Sequence, residues 1–217
     1  MLNDSQLAQL MLTGYSSDDA VLAATFDHVE DVDQDRFYLK DFGDTTVILF
    51  RGSLLFYNGK LQPDWARDFE VNQIERPDLG LVHYGFQIGL NDCINTALPL
   101  CQKNLILIGH SLGAARALIA AAFIAVGSYN VQIQKIVTWG TPKIGFQKFM
   151  SILAGIKCPI RCYQNHCGII VDPVTMVPLI ANYYQHPEQI GLQGPFALLL
   201  DQYHDHLRYA KFTPDTL

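Results

Sequence analysis

Residues 109–113 read Gly-His-Ser-Leu-Gly, a hydroxyl framed by glycines where the apolar run Leu105–Ile108 gives way to an alanine-rich stretch. A serine in the pattern G-x-S-x-G, at a turn from a buried strand into a helix, is a nucleophile elbow. The strained turn lifts the hydroxyl above the sheet edge, and small neighbours are needed because the backbone there leaves no room for side chains. The N-terminus of the following helix then stabilises the negative charge that develops when the serine attacks an acyl carbon. The competing reading is a serine that only caps a helix at a tight turn.

A serine hydroxyl is a weak nucleophile and needs a base, itself oriented by a carboxylate. On a sheet of this kind the chain order is Ser, then Asp or Glu, then His. The histidines after Ser111 are His166, His186, His204 and His206. Asp172 follows the apolar run 168–171, where a strand delivers a loop, and three of those histidines lie beyond it. His186, beside Pro187 in a polar stretch, reads as a surface residue. Position alone does not choose between His204 and His206.

The elements that must position these groups are legible in the apolar periodicity. Asp4 or Ser5 is expected to cap a first helix with Leu7, Leu10 and Met11 inward, and a second short helix is expected at 17–24. Segments 36–43 and 45–52 read as a hairpin of strands around a Gly-Asp turn, and 54–64 as a loop or mobile flap. A helix is expected from Phe86, with apolar positions 86, 90, 93, 94, 97 and 98 and a stop at Pro99. Then come a strand at 104–109, a helix from 111 with Leu112, Ala115, Ile119, Ala122, Phe123 and Val126 on one face, and a strand at 132–140. A turn and short helix and a last strand at 159–166 follow. Strands alternating with helices predict a largely parallel sheet covered on both faces, in one domain spanning 1–217.

Composition narrows the function. Hydrophobic residues make up 49% and charged ones 17%, as in a globular protein with a sizeable core. The net charge is -6, and the 15 Lys and Arg are scattered, so a nucleic-acid backbone finds no basic stripe to hold. The most apolar run, 105–126, is interrupted by His110, Arg116 and two glycines and reads as strand plus helix; no transmembrane segment is expected. No Lys or Arg precedes Arg36, so the N-terminus lacks the basic region of a secretory signal. Cysteines 93, 101, 158, 162 and 167 are odd in number and unevenly spaced, which makes no disulfide framework and fits no common zinc spacing. A cytoplasmic setting is expected, or a secreted one if a leader has been removed. No metal, cofactor or protein partner is called for.

Several further stretches resemble the class 3 lipases, the fungal triacylglycerol lipase family of α/β-hydrolases. TVILFRGS (46–53), LVHYGF (81–86), GHSLGAA (109–115), TWGTPKIG (138–145), VDPVTMVP (171–178) and HLRY (206–209) follow in the family's order. The resemblance implies the α/β-hydrolase fold with a mostly parallel central sheet, and a short flap or lid at 54–64 with Trp65 as its anchor. It implies Ser111 as nucleophile, Asp172 as orienting carboxylate and His206 as base, with Ser53 and the backbone of Leu112 as oxyanion hole. His83 and His110 flank this group and read as packing or hydrogen-bonding residues, and Trp139 as core. Arg116 stands where the family's elbow helix carries an apolar residue; it reads as an outward-facing solvated cation, with selection of an anionic head group as its other use. The expected activity is hydrolysis of lipid carboxylic esters at a lipid–water interface through an acyl-enzyme. Phospholipase A1 or acyltransferase activity, and a catalytically silent lipase-like module, are the alternatives.

Overall fold

The structure is a computed structural model that describes residues 2–32, 35–52, 56–57, 60–61, 73–167, 170–176, 189–193 and 206–215. Its chain runs α1 (Asp4–Thr13), α2 (Asp19–Thr25), β1 (His28–Val32), β2 (Asp35–Phe42), β3 (Thr45–Phe50), β4 (Phe56–Tyr57) and β5 (Lys60–Leu61). There follow β6 (Gln73–Arg76), β7 (Gly80–His83), α3 (Tyr84–Gln87), α4 (Leu90–Ala97), β8 (Asn104–His110) and α5 (Leu112–Val126). The chain continues with β9 (Gln132–Trp139), α6 (Gln147–Gly155), β10 (Ile160–Cys167), β11 (Ile170–Val171), β12 (Gln189–Gln193) and α7 (His206–Phe212).

The main sheet has the order β1-β2-β3-β8-β9-β10-β11, with β12 also paired to β10. β1, β2 and β3 form an antiparallel meander, whereas β3, β8, β9, β10 and β12 pair in parallel. This is the mostly parallel sheet that the alternation of strands and helices predicts, and its centre is buried on both faces. Along β3, Ile48 and Phe50 enter one core while Val47 and Leu49 enter the other; along β8, Leu105 and Leu107 oppose Ile106 and Ile108. Side chains of a strand alternate between faces, so an unbroken apolar run is what a central strand covered twice requires. α3 to α6 supply the first core, and α1, α2 and α7 the second.

Several elements depart from the sequence expectation, each for a physical reason. The helix from Phe86 is two pieces, because Gly89 between them takes a left-handed backbone (φ 67°) that ends one and starts the other. α5 is buried almost all round rather than along one face: Gly113 to Ala122 are all buried, and small alanines let the sheet and neighbouring helices close on it. Arg116 is among these buried residues, so the outward-facing reading is wrong; its guanidinium donates to the Ile88 carbonyl. β1 escaped notice because, as an edge strand, HVEDV is only partly buried and shows no alternation. The flap region is not wholly loop, since β4 and β5 pair antiparallel; the rest of 54–64, Trp65 and His186 lie outside the described residues.

The first helix is capped by Asn3, not by Asp4 or Ser5: the Asn3 side chain accepts from Gln6 N at 2.8 Å, and Gln6 returns the bond to Asn3 N at 3.0 Å. Asp4 is instead buried inside. It meets Lys135 Nζ of β9 at 2.9 Å, Arg161 of β10 at 3.0 Å and the Tyr163 hydroxyl at 2.6 Å. Burial pushes the Asp4 carboxyl up, but the bonds from Tyr163, Lys135 and Arg161 together hold it below the ordinary 3.8. Replacing one member of a buried ion pair leaves the other charged and unpaired, which costs about 3–5 kcal/mol. Asp4→Asn is therefore expected to lower the urea-unfolding free energy by about that amount. Because the folded pKa lies below the unfolded one, the native contribution is present above 3.8 and is lost as pH falls through the lowered value.

Candidate active site

Ser111 joins β8 to α5 and is the one non-glycine with positive φ among the described residues, at φ 59° and ψ -125°. That conformation costs on the order of 1–3 kcal/mol, so the surroundings must enforce it. Ser111 N donates to Trp139 O at 3.0 Å at the end of β9, and the Ser111 carbonyl accepts the Ala114 N–H at 3.0 Å in the first turn of α5. The flanking glycines have the steric purpose expected of them. A Cβ on Gly109 would fall on the backbone of Gly113 and reach Ala114 N at 2.7 Å; one on Gly113 would fall on the Phe50 carbonyl and reach Arg51 C at 2.9 Å.

Gly52 is held as tightly. A Cβ there would meet the Tyr15 hydroxyl, the His110 carbonyl and, at 3.2 Å, Ser111 Cβ, so the end of the β3 segment passes directly beside the serine. The next residue, Ser53, lies outside the described residues. The N–H of Leu112, like any first-turn N–H, has no carbonyl partner within its own helix, which makes it available to an anion at the helix start.

Asp172 follows β11 and is fully buried. Its Oδ1 accepts the Val174 N–H at 2.9 Å and its Oδ2 accepts the Tyr209 hydroxyl at 2.5 Å. Its own N–H donates to Asn165 O at 3.0 Å, which fixes the loop to β10. His206 opens α7, and its side chain lies outside the described residues, as does all of His204. α7 is tied down by Trp139 Nε1, which donates to Thr213 Oγ1 at 2.8 Å, while Thr213 Oγ1 donates to Tyr209 O at 2.7 Å.

The ring of His110, next to Ser111, lies tilted 5.5 Å from the ring of Tyr209. The serine's strand, the Asp172 loop and the helix that His206 opens therefore meet at one place, above the carboxyl ends of the parallel strands where α/β sheets bind ligands. His110 Nδ1 also bonds the Tyr15 hydroxyl at 2.8 Å, and His83 stacks on Phe86 with ring centroids 3.8 Å apart. His110 thus bonds and His83 packs, as the sequence suggests. Neither tyrosine was singled out by sequence reasoning; Tyr15 has no motif, and Tyr209 was visible only as the last letter of HLRY.

Neither half-buried cysteine, Cys101 or Cys158, competes as a nucleophile. Burial pushes the Cys101 thiol up to about 12 and the Cys158 thiol up to about 11, so both are protonated at neutral pH. Among the described residues no group of three His, Cys, Asp or Glu is placed to hold a metal ion. No described helix is long and apolar enough to cross a membrane. Two clefts of about 520 and 570 Å³ open at the amino ends of the central strands, away from Ser111.

Comparison with known proteins bears on the fold and the family. A search of curated proteins finds no match. Among solved structures, the Rhizomucor miehei triacylglyceride lipase superposes with a TM-score of 0.66 at 20% identity, covering 86% of this chain and 78% of its own. A fungal lipase–inhibitor complex, used as a model for interfacial activation, gives 0.61 at 21% identity over 79% and 71% of the two chains. A triacylglycerol lipase whose catalytic centre is a serine protease triad gives 0.58 at 21% identity over 79% and 71%. These likenesses establish the α/β-hydrolase fold. The family model for lipase (class 3) matches residues 47–181, more than half of the 217 residues. The chain belongs to the lipase (class 3) family and is a hydrolase of carboxylic esters.

Proposed function

We propose that the protein hydrolyses lipid esters with Ser111 as nucleophile, His206 as base and Asp172 as its orienting carboxylate, and that Ser53 and the Leu112 N–H receive the oxyanion. The observation that carries this reading is the strained backbone of Ser111 at the head of α5. His206 takes the hydroxyl proton as Ser111 Oγ bonds to the acyl carbon, and the carbonyl oxygen becomes an anion beside the helix N-terminus. When that anion collapses, the alcohol leaves with the proton from His206 and the acyl group stays on Ser111. Water then repeats the attack, releasing the acid and restoring the hydroxyl.

Residues 54–64 serve as a flap over this site, within one domain spanning 1–217. A lipid surface as the place of action is supported by Met176 and Leu207, 44% and 55% exposed, which stand close in sequence to Asp172 and His206. The fungal lipase whose inhibitor complex models interfacial activation supports it too. Burial of Arg116 removes the cation that favoured an anionic head group.

A panel of p-nitrophenyl esters of increasing length, dissolved and emulsified, tests the reading. The expected result is a preference for the emulsified long-chain esters, and a loss of about 10⁴-fold or more in His206→Ala with His204→Ala active. The reverse pattern of the two variants moves the base to His204. Equal rates on dissolved and emulsified ester remove the flap and leave the triad.

A further inference from the structure

We propose that Tyr209 is a positioning residue for hydrolysis: its phenol pins the Asp172 carboxylate in the orientation that the base requires. This rests on the function proposed above. Three observations meet on one hydroxyl. It donates to Asp172 Oδ2 at 2.5 Å, it accepts the Asn165 N–H of β10 at 3.1 Å, and it sits on a side chain with no exposed surface. The donor is thus itself held by backbone and cannot swing away from the carboxylate. With Val174 N–H on Oδ1, both carboxylate oxygens have a fixed donor.

The placement on α7 gives the bond its meaning. Positions 206 and 209 are three apart and share a face of the helix, so the residue that opens the helix and the residue that grips Asp172 move as one body. The Tyr209 bond therefore sets the register of α7 against the Asp172 loop, and the Trp139–Thr213–Tyr209 chain holds the other end. Burial, then the Asp172 charge, raises the phenol well above its ordinary 10.0, so it stays a donor wherever the enzyme works. Among the described residues, the charged or titratable neighbours of the pair include His110 from β8, its ring 5.5 Å from that of Tyr209, and Arg208 on α7.

Donation to a carboxylate lowers its basicity, and hence its hold on a facing imidazolium. In Tyr209→Phe, kcat is expected to fall roughly tenfold or more with KM unchanged, the factor of a charge-assisted bond. The acidic limb of the kcat/KM profile is expected to move to higher pH. Trifluorotyrosine at 209, a more acidic phenol of nearly the same shape, is expected to fold as the native protein does and move that limb to lower pH. This arm decides the matter should the phenylalanine variant not fold. In an Asp172→Asn background, Tyr209→Phe is expected to have no further effect on kcat. An unmoved pH limb in the fluorinated protein, or an equal loss from Tyr209→Phe in both backgrounds, overturns the proposal and leaves the triad standing. Native activity in Asp172→Asn alone removes the triad reading, and the proposal with it.

Discussion

Ser111→Ala is expected to lower kcat on a p-nitrophenyl ester by about 10⁶-fold while the protein stays folded. The size follows from the role proposed for the hydroxyl. Without it no acyl-enzyme forms, and only substrate binding and the oxyanion donors remain, which by themselves keep about 10³ to 10⁴ over the reaction in water. The strained backbone does not depend on the hydroxyl. It is held by Ser111 N on Trp139 O, by the first turn of α5 and by the two glycines, none of which the substitution touches. Melting temperature should therefore be unchanged, and the comparison of rate with melting separates chemistry from folding. A variant that keeps a tenth of the native rate means that another group attacks.

Asp172→Asn is expected to lower kcat by about 10⁴-fold, the loss seen when a triad carboxylate is neutralised and the base is held in the wrong tautomer. The substitution keeps size and shape in a fully buried place, and an amide oxygen can still accept the Val174 N–H. What it removes is the charge that an imidazolium needs and one acceptor, since the amide nitrogen turned toward the Tyr209 hydroxyl would face a donor. KM should move little, because the carboxylate is fully buried and out of a substrate's reach. Single-turnover acylation measured beside circular dichroism checks both halves of this expectation.

The centre of the fold and the strained turn at Ser111 were legible because they rest on local pattern. Apolar runs such as 105–108 admit only a strand buried twice, and glycines on both sides of a serine at a strand–helix junction admit little but an elbow. What escaped was set by partners distant in sequence. Asp4 or Ser5 fits a cap by residue type alone; only the fold brings Lys135, Arg161 and Tyr163 around Asp4. Arg116 was read as solvated because arginine seldom goes inside, yet the Ile88 carbonyl from the break between α3 and α4 receives it. β12 left little signal, being five residues with only Ile190 and Leu192 apolar, whose pairing to β10 depends on the sheet already present. The choice between His204 and His206 likewise came from a resemblance rather than from the residues themselves.

The most direct test of the central claim is a fluorophosphonate probe followed by peptide mass analysis of the labelled native protein. The account predicts a single adduct on the peptide carrying Ser111, absent from Ser111→Ala and formed far more slowly in Asp172→Asn. An adduct on another serine, or undiminished labelling of Ser111→Ala, contradicts it.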